Sequence, residues 1–282
     1  KQELVDYLER VGMRFGPDVN AYTSFDETVY LLTVPTDSAA LVETGLQILE
    51  DWARGVTFDS VEVEKERGVV MEEWRLGQGA GSRMQEKQLP VLLRGSRYAE
   101  RLPIGTRESL QRVSVDAVRR FYRDWYRPEL MAVVAVGDFD PDMMEESIRR
   151  RFGPLPSRPG PERRNFSVPS HEETLVSLAS DAEATAATIS INMKRTPVRW
   201  TSVESYRHWM VESLATMMMT NRLNEHTQRP NSPFLDISSF QGRFLRPLSA
   251  FVLTARVPAG GVERGMEELL LEITRARQHG FT

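Results

Sequence analysis

Apolar residues recur along this chain at two spacings, and the switches between them mark its elements. Leu4, Tyr7, Leu8 and Val11 stand at helical intervals and predict a first helix ending at Gly12. The run Thr28 to Val34 is rich in β-branched and aromatic residues, which predicts a strand that Pro35 stops. Asp37 or Ser38 then caps a helix through about Arg54, with Leu41, Leu46, Ile48, Leu49 and Trp52 as core candidates. Asp59 or Ser60 caps a second, which runs towards Leu76 before Gly77, Gly79 and Gly81 break it; another covers Arg83 to Leu93. Ser114 caps a helix from Val115 to Trp125. The continuous apolar run of "LMAVVAVGDF" predicts a buried strand, and Asp140-Pro141 opens a helix over Asp142 to Phe152.

Residues 153–170 hold five prolines and two glycines and read as a linker, concentrated in 156–170. Beyond them the order repeats: a strand from Thr185 to Lys194, a helix from Ser202 to Thr227, strands Ile237 to Gln241 and Ala250 to Val257, and a helix from Val262 to His279. Strand, helices, strand and helix in that order imply an α/β layered fold, and the echo suggests a duplicated α/β unit. The expected domains are residues 1–155 and, after the linker, 171–282.

Composition narrows the function. The chain has 282 residues, 40% apolar and 27% charged, enough for a sizeable core in one large domain or two ordinary ones. A net charge of −4 gives no basic footprint, which argues against a nucleic-acid partner. The absence of cysteine excludes disulfides, thiolate metal sites and a cysteine nucleophile. The longest strongly apolar run, Leu130 to Gly137, falls far short of the roughly 20 residues of a membrane span. The first residues, KQELVDYLERVG, are amphipathic and carry no signal-peptide apolar stretch. Both ends look cut, the first inside helical periodicity and the last just after a C-cap glycine at Gly280, so a piece of a longer polypeptide is expected.

The candidate chemistry lies in "EVEKERGVVMEEWR", residues 62–75. On a helix Glu62, Glu66 and Glu73 share one stripe, and Glu64 falls on the other side with Val61, Gly68 and Met71. Two readings stay open on these residues alone. One is a solvated acidic helix laced with Glu–Lys and Glu–Arg pairs. The other turns Glu64 inward, where a carboxylate is costly unless it is paired or binds a metal. Gly68, about 1 kcal/mol worse than alanine in a helix, would then mark a close backbone approach.

Three stretches carry a resemblance: "GMRFGPDVNAYTSFDETVYLLTVP", "EKERGVVMEEWR" and "PIGTRESLQRVSVDAVRRFYRDWYRPELMAVVAVGDFD". Together they cover most of residues 1–160, and they resemble the pitrilysin or insulinase (M16) family of zinc metallopeptidases, its bacterial members especially. The second half is similar only in layout. The resemblance implies two related α/β domains of the M16 type, the first truncated at its N-terminus and the second at its C-terminus. It implies a zinc endopeptidase acting on extended or unfolded polypeptide, with Glu64 as the third zinc ligand. It makes Asn20, with its neighbours Ala21 and Tyr22, a substrate contact just before the edge strand that pairs with substrate, and Trp74 an aromatic near the substrate cleft. It also implies a periplasmic or cell-envelope location and allows a homo- or heterodimer with another subunit of the family. On the residues alone, Asn20 equally suits a turn before a strand, and Trp74 a core position at the end of a helix.

One departure matters. The family's two zinc histidines and its general-base glutamate come from a His-x-x-Glu-His motif, and this sequence has none. Its four histidines are His171, His208, His226 and His279. The expectation is that the motif lies upstream of Lys1 and that this chain alone is inactive; the alternative is a non-catalytic homologue that binds peptide or supports an active partner. His208 and His226 read as structural, the Met217-Met218-Met219 run as core, and Arg149-Arg150-Arg151 as a solvated helix end.

Overall fold

The computed structural model describes residues 12–14 and 16–281, so the helix expected over residues 4–11 lies outside the described residues. Two compact units emerge. One joins residues up to Gly77 with Arg101–Asn165; the other joins Gln78–Glu100 with the residues from Phe166 onward. The proline-rich stretch contains one crossing between them. Segment 78–100 was expected with the first domain, and its packing places it in the second unit.

The first unit opens with an antiparallel hairpin, β1 (Val19–Thr23) and β2 (Thr28–Leu32), in register from Val19↔Leu32 to Thr23↔Thr28. Helix α1 (Ala39–Arg54) follows Ser38, and α2 (Ser60–Leu76) follows Asp59. Met13, Val19 and Ile48 form a small core against Leu32, Val34 and Trp52. Gly45 lets α1 approach the strand, since a Cβ there would stand 3.0 Å from Val34 Cγ1. After α3 (Ala80–Leu92), which belongs to the other unit, come α4 (Arg107–Arg112), α5 (Val115–Trp125) and α6 (Pro141–Phe152). Helix α4 was not expected; Thr106 and Ser109 close a capping box at its start. Helix α6 packs on α1, where Arg150 and Arg151 reach Glu43 at 2.7 and 2.9 Å. These arginines are therefore paired across helices rather than merely solvated.

The strand expected in "LMAVVAVGDF" does not form. A short 3₁₀ turn covers Pro128–Leu130, and the stretch after it pairs with no strand among the described residues, leaving Val134 and Val136 80% and 91% exposed. An apolar run supplies the propensity for a strand, but a strand exists only where another offers ladder hydrogen bonds.

The second unit is built on an antiparallel sheet of order β3–β5–β4, with β3 (Ala187–Arg195), β4 (Asp236–Leu245) and β5 (Leu248–Val257). Helices α7 (Val203–Thr227) and α8 (Val262–His279) pack on it through one core that includes Ile189, Leu223, Leu253, Val257 and Leu269. Each such side chain, fully buried, contributes about 1.5–3 kcal/mol. Gly265 brings α8 close, because a Cβ there would meet Val257 Cγ1 at 2.7 Å. Of the methionine run only Met219 enters the core; Met217 and Met218 face outward.

A buried ion cluster ties α7 to α8. Glu272 is 1% exposed and accepts from Arg222 Nε at 2.7 Å and from Arg275, with His226 Nε2 3.0 Å away. Burial pushes its pKa up, but the hydrogen bonds from Arg222 and Arg275 and the neighbouring charges outweigh this and hold it below the ordinary carboxylate value. His226 is structural, as expected.

Candidate functional site

Helix α2 begins where the Asp59 carboxylate accepts from the Val61 and Glu62 amides at 2.9 and 3.1 Å. It contains no fully buried residue. Its half-buried positions are Val63, Arg67, Val70, Met71 and Trp74, spaced as one helical stripe. This is the side that meets α4.

Arg67 explains why that stripe faces inward. Its guanidinium donates to the Leu110 carbonyl and, at 2.6 Å, to the Val113 carbonyl. These belong to the C-terminal turn of α4, whose carbonyls have no partner within the helix. A long aliphatic stem with a fork of donors suits that place better than a carboxylate.

Glu64 therefore turns outward, contrary to expectation. Its side chain is 57% exposed, and both oxygens accept from Arg67, at 2.9 and 3.0 Å. The Arg67 hydrogen bond holds its pKa below the ordinary carboxylate value. The close approach expected at Gly68 is absent, since nothing lies within 4 Å of a Cβ built there. Around Glu64 the surface is a shallow depression lined by Ser60, Val61 and Lys65. Glu62 and Glu72 pair with Lys65 and Arg75 at 2.6 and 2.5 Å, so most of the helix follows the solvated reading.

Trp74 sits half-buried on the inward stripe. Asn20, Ala21 and Tyr22 lie inside β1 rather than before a strand, and all three are exposed. The backbone of β1 alternates. Thr33 N–H reaches the Asp18 carbonyl and Ser24 N–H the Glu27 carbonyl, both at 2.8 Å, which puts Asn20 and Tyr22 in the positions that face β2. Ala21 and Thr23 turn their backbone groups to the other edge, where no strand pairs among the described residues. The Ala21 amide instead donates to its neighbour's Asn20 Oδ1 at 2.8 Å.

Across the hairpin from Ala21 stands Tyr30, part of an aromatic cluster that sequence reasoning missed. Its hydroxyl lies 2.6 Å from that of Tyr126, and its ring meets Trp52 at 5.5 Å. Burial first, and then the Tyr126 hydroxyl, push the Tyr30 pKa far above its ordinary value, so the phenol stays neutral. The signal was present in Tyr30 and Tyr126 themselves, but their partnership spans 96 positions.

Among the described residues no three His, Cys, Asp or Glu side chains converge on a point that could hold a metal ion. A catalytic zinc site takes three protein ligands and leaves a position open for water. Glu64 offers one carboxylate, already engaged by Arg67, so the described residues do not by themselves fit a zinc ion.

Comparison with known proteins bears on the whole chain. Residues 1–90 match the family described as insulinase (peptidase family M16), and residues 112–282 the one described as the peptidase M16 inactive domain. A zinc protease PQQL-like protein of Arabidopsis thaliana is 36% identical over 276 residues, covering 97% of this chain and 28% of that protein. The probable zinc protease PqqL of Escherichia coli (strain K12) is 30% identical over 283 residues, covering 99% of this chain and 30% of its own length. The crystal structure of the first half of the periplasmic protease PqqL from Escherichia coli superposes with a TM-score of 0.84 at 27% identity, covering 99% of this chain and 60% of that one. The chain thus spans less than a third of the length of these two curated relatives.

Proposed function

The chain belongs to the M16 peptidase family, and from that premise we propose that it is part of a zinc-dependent endopeptidase that hydrolyses extended or unfolded polypeptide. The observation that carries this reading is the open edge of β1. Ala21 and Thr23 present backbone donors and acceptors to solvent, which an extended peptide can meet as an added strand. Asn20 and Tyr22 lie on one face of that strand and Ala21 on the other, so both faces can contact the side chains of the guest. Asn20 Oδ1, now bonded to the Ala21 amide, would give way to the carbonyl of the guest.

Glu64 is the residue of this chain proposed as a zinc ligand, with the remaining ligands outside it. Its exposure supports the assignment, because only a surface ion pair with Arg67 has to open. Trp74, half-buried, supports the helix from within more than it meets peptide. The match of residues 112–282 to an inactive domain favours a supporting rather than a chemical role for the second unit. A periplasmic location, as in the Escherichia coli PqqL protease, is part of the same proposal.

The test uses the longer polypeptide that includes the residues preceding Lys1. Zinc content and cleavage of an unfolded peptide are measured for the wild type, Glu64→Gln and Ala21→Pro. Glu64→Gln should lose most of its zinc and its activity. Ala21→Pro removes an outward amide and no hairpin hydrogen bond; it should keep its zinc and lose at least about tenfold in kcat/KM. Full zinc in Glu64→Gln would sink the ligand assignment, and an unchanged kcat/KM in Ala21→Pro the edge-strand role.

A further inference from the structure

The proline-rich stretch reads as a linker in sequence, yet residues 157–163 are gripped along their length as a strap. Arg127 does most of the holding. It is buried, and its two amino groups donate to the carbonyls of Arg158 and Pro161 at 3.2 and 2.9 Å. Carbonyls three residues apart face one side of a polyproline-type segment, which turns once in three residues and has no internal hydrogen bonds. A planar fork of donors fits that repeat, where the point charge of a lysine does not. Glu129 completes the clasp: it pairs with Arg127 at 3.0 Å and accepts from Ser157 Oγ at 3.4 Å. Gly160 lies against the guanidinium, since a Cβ there would stand 3.0 Å from Arg127 Cζ and Nη1.

The strap leads to the hairpin. At its far end the half-buried Arg163 donates to the Asp26 carbonyl at 3.2 Å, in the turn between β1 and β2. Arg101 reaches the adjoining Phe25 carbonyl at 3.5 Å. Tyr126, next to Arg127 in the chain, shares a hydrogen bond with the Tyr30 hydroxyl on β2. The hairpin is thus held on β2 by Tyr126 and at its turn by the strap, and both holds start from one dipeptide. A single hold would leave a pivot, whereas two fix the direction of β1. All of these residues belong to the first unit.

We propose that Arg127 and Arg163 are positioning residues for a polypeptide substrate: through the strap they fix where the free edge of β1 stands when the guest strand arrives. Both act through β1, and their role rests on the edge-strand reading of it.

The test uses the longer polypeptide that includes the residues preceding Lys1. It follows zinc content, urea unfolding, steady-state kinetics on an unfolded peptide, and amide exchange over residues 24–28 at the hairpin turn. Arg163→Met lies at the half-buried end of the strap, so it should keep its zinc and its unfolding midpoint. Its turn amides should exchange at least about threefold faster, and KM should rise at least about threefold with kcat held. Arg127→Met and Arg127→Lys should both do the same, because lysine lacks the fork. Arg163→Lys should stay close to the wild type, since one donor suffices for one carbonyl. In an Ala21→Pro background Arg163→Met should raise KM no further, as both act through one edge. Unchanged exchange at the turn or an unchanged KM in Arg163→Met overturns the positioning role, and leaves the edge strand standing if Ala21→Pro is impaired. An unimpaired Ala21→Pro removes the edge strand and this role with it. Additive losses in the double variant overturn it too, by showing that the strap acts elsewhere than through β1. Should Arg127→Met fail to fold, Arg163→Met decides alone.

Discussion

Glu64 on α2 and Glu272 on α8 began as similar residues, each a carboxylate beside apolar neighbours with a glycine on its face. The fold treats them oppositely. Glu64 is 57% exposed with one arginine, while Glu272 is 1% exposed among Arg222, Arg275 and His226. The difference lies in what each helix packs against. Among the described residues helix α2 has the short α4 on its inward side, and the free carbonyls there call for a donor, so Arg67 takes the inner stripe. Helix α8 lies on a three-stranded sheet beside α7, and a carboxylate at its centre is met by cations from both helices. Burial of a carboxylate follows the partners that reach it, more than its own neighbours in sequence.

Removing each carboxylate sharpens that contrast. Glu272→Ala leaves two guanidiniums and an imidazole around an empty place, and should cost the second unit about 3–5 kcal/mol in urea unfolding. A loss within experimental error would mean the cluster relaxes into solvent. Acid titration separates the ionic part. Because the folded pKa of Glu272 is depressed, its contribution is full above the unfolded value of about 4.3 and is lost as pH falls through the lower folded value. The wild type should therefore lose stability more steeply than Glu272→Gln below about pH 4, with the two curves parallel at higher pH.

In the first unit the larger effect belongs to the arginine. Arg67→Ala removes charge-assisted bonds to two α4 carbonyls and should cost about 1–2 kcal/mol, read from unfolding midpoints or from faster amide exchange in α4. The smallest change is expected for Glu64→Gln, whose unfolding midpoint should match that of the wild type. A clear destabilisation there would show that Glu64 holds the fold, and would weaken its assignment as a ligand free to leave Arg67.

Much of this was legible in the sequence, and the boundary between what was and what was not is physical. Ser114 and Asp140 cap their helices with side-chain bonds reaching two or three residues onward, and such signals are complete in any short window. Gly280 ends α8 at φ 69°, a conformation few other residues adopt. The burial of Glu272 also had a signal, since Gly265, Leu269 and Glu272 occupy one apolar stripe; the same reasoning was spent on Glu64, where it fails. On its residues alone β1 read as a turn before a strand, because beyond the buried Val19 its four exposed residues offer little alternation to recognise.

By itself, then, the sequence determined most of the helices with their caps, strands β2 to β5, and the membership of the M16 family. Tertiary structure alone decided which stripe of α2 faces inward, that "LMAVVAVGDF" has no strand beside it among the described residues, and that Ala21 rather than Asn20 turns its backbone away from β2. The reason is range. A cap or a helical repeat is settled within a few residues, whereas burial, strand pairing and ion clusters depend on groups tens of positions away, whose approach no local pattern encodes.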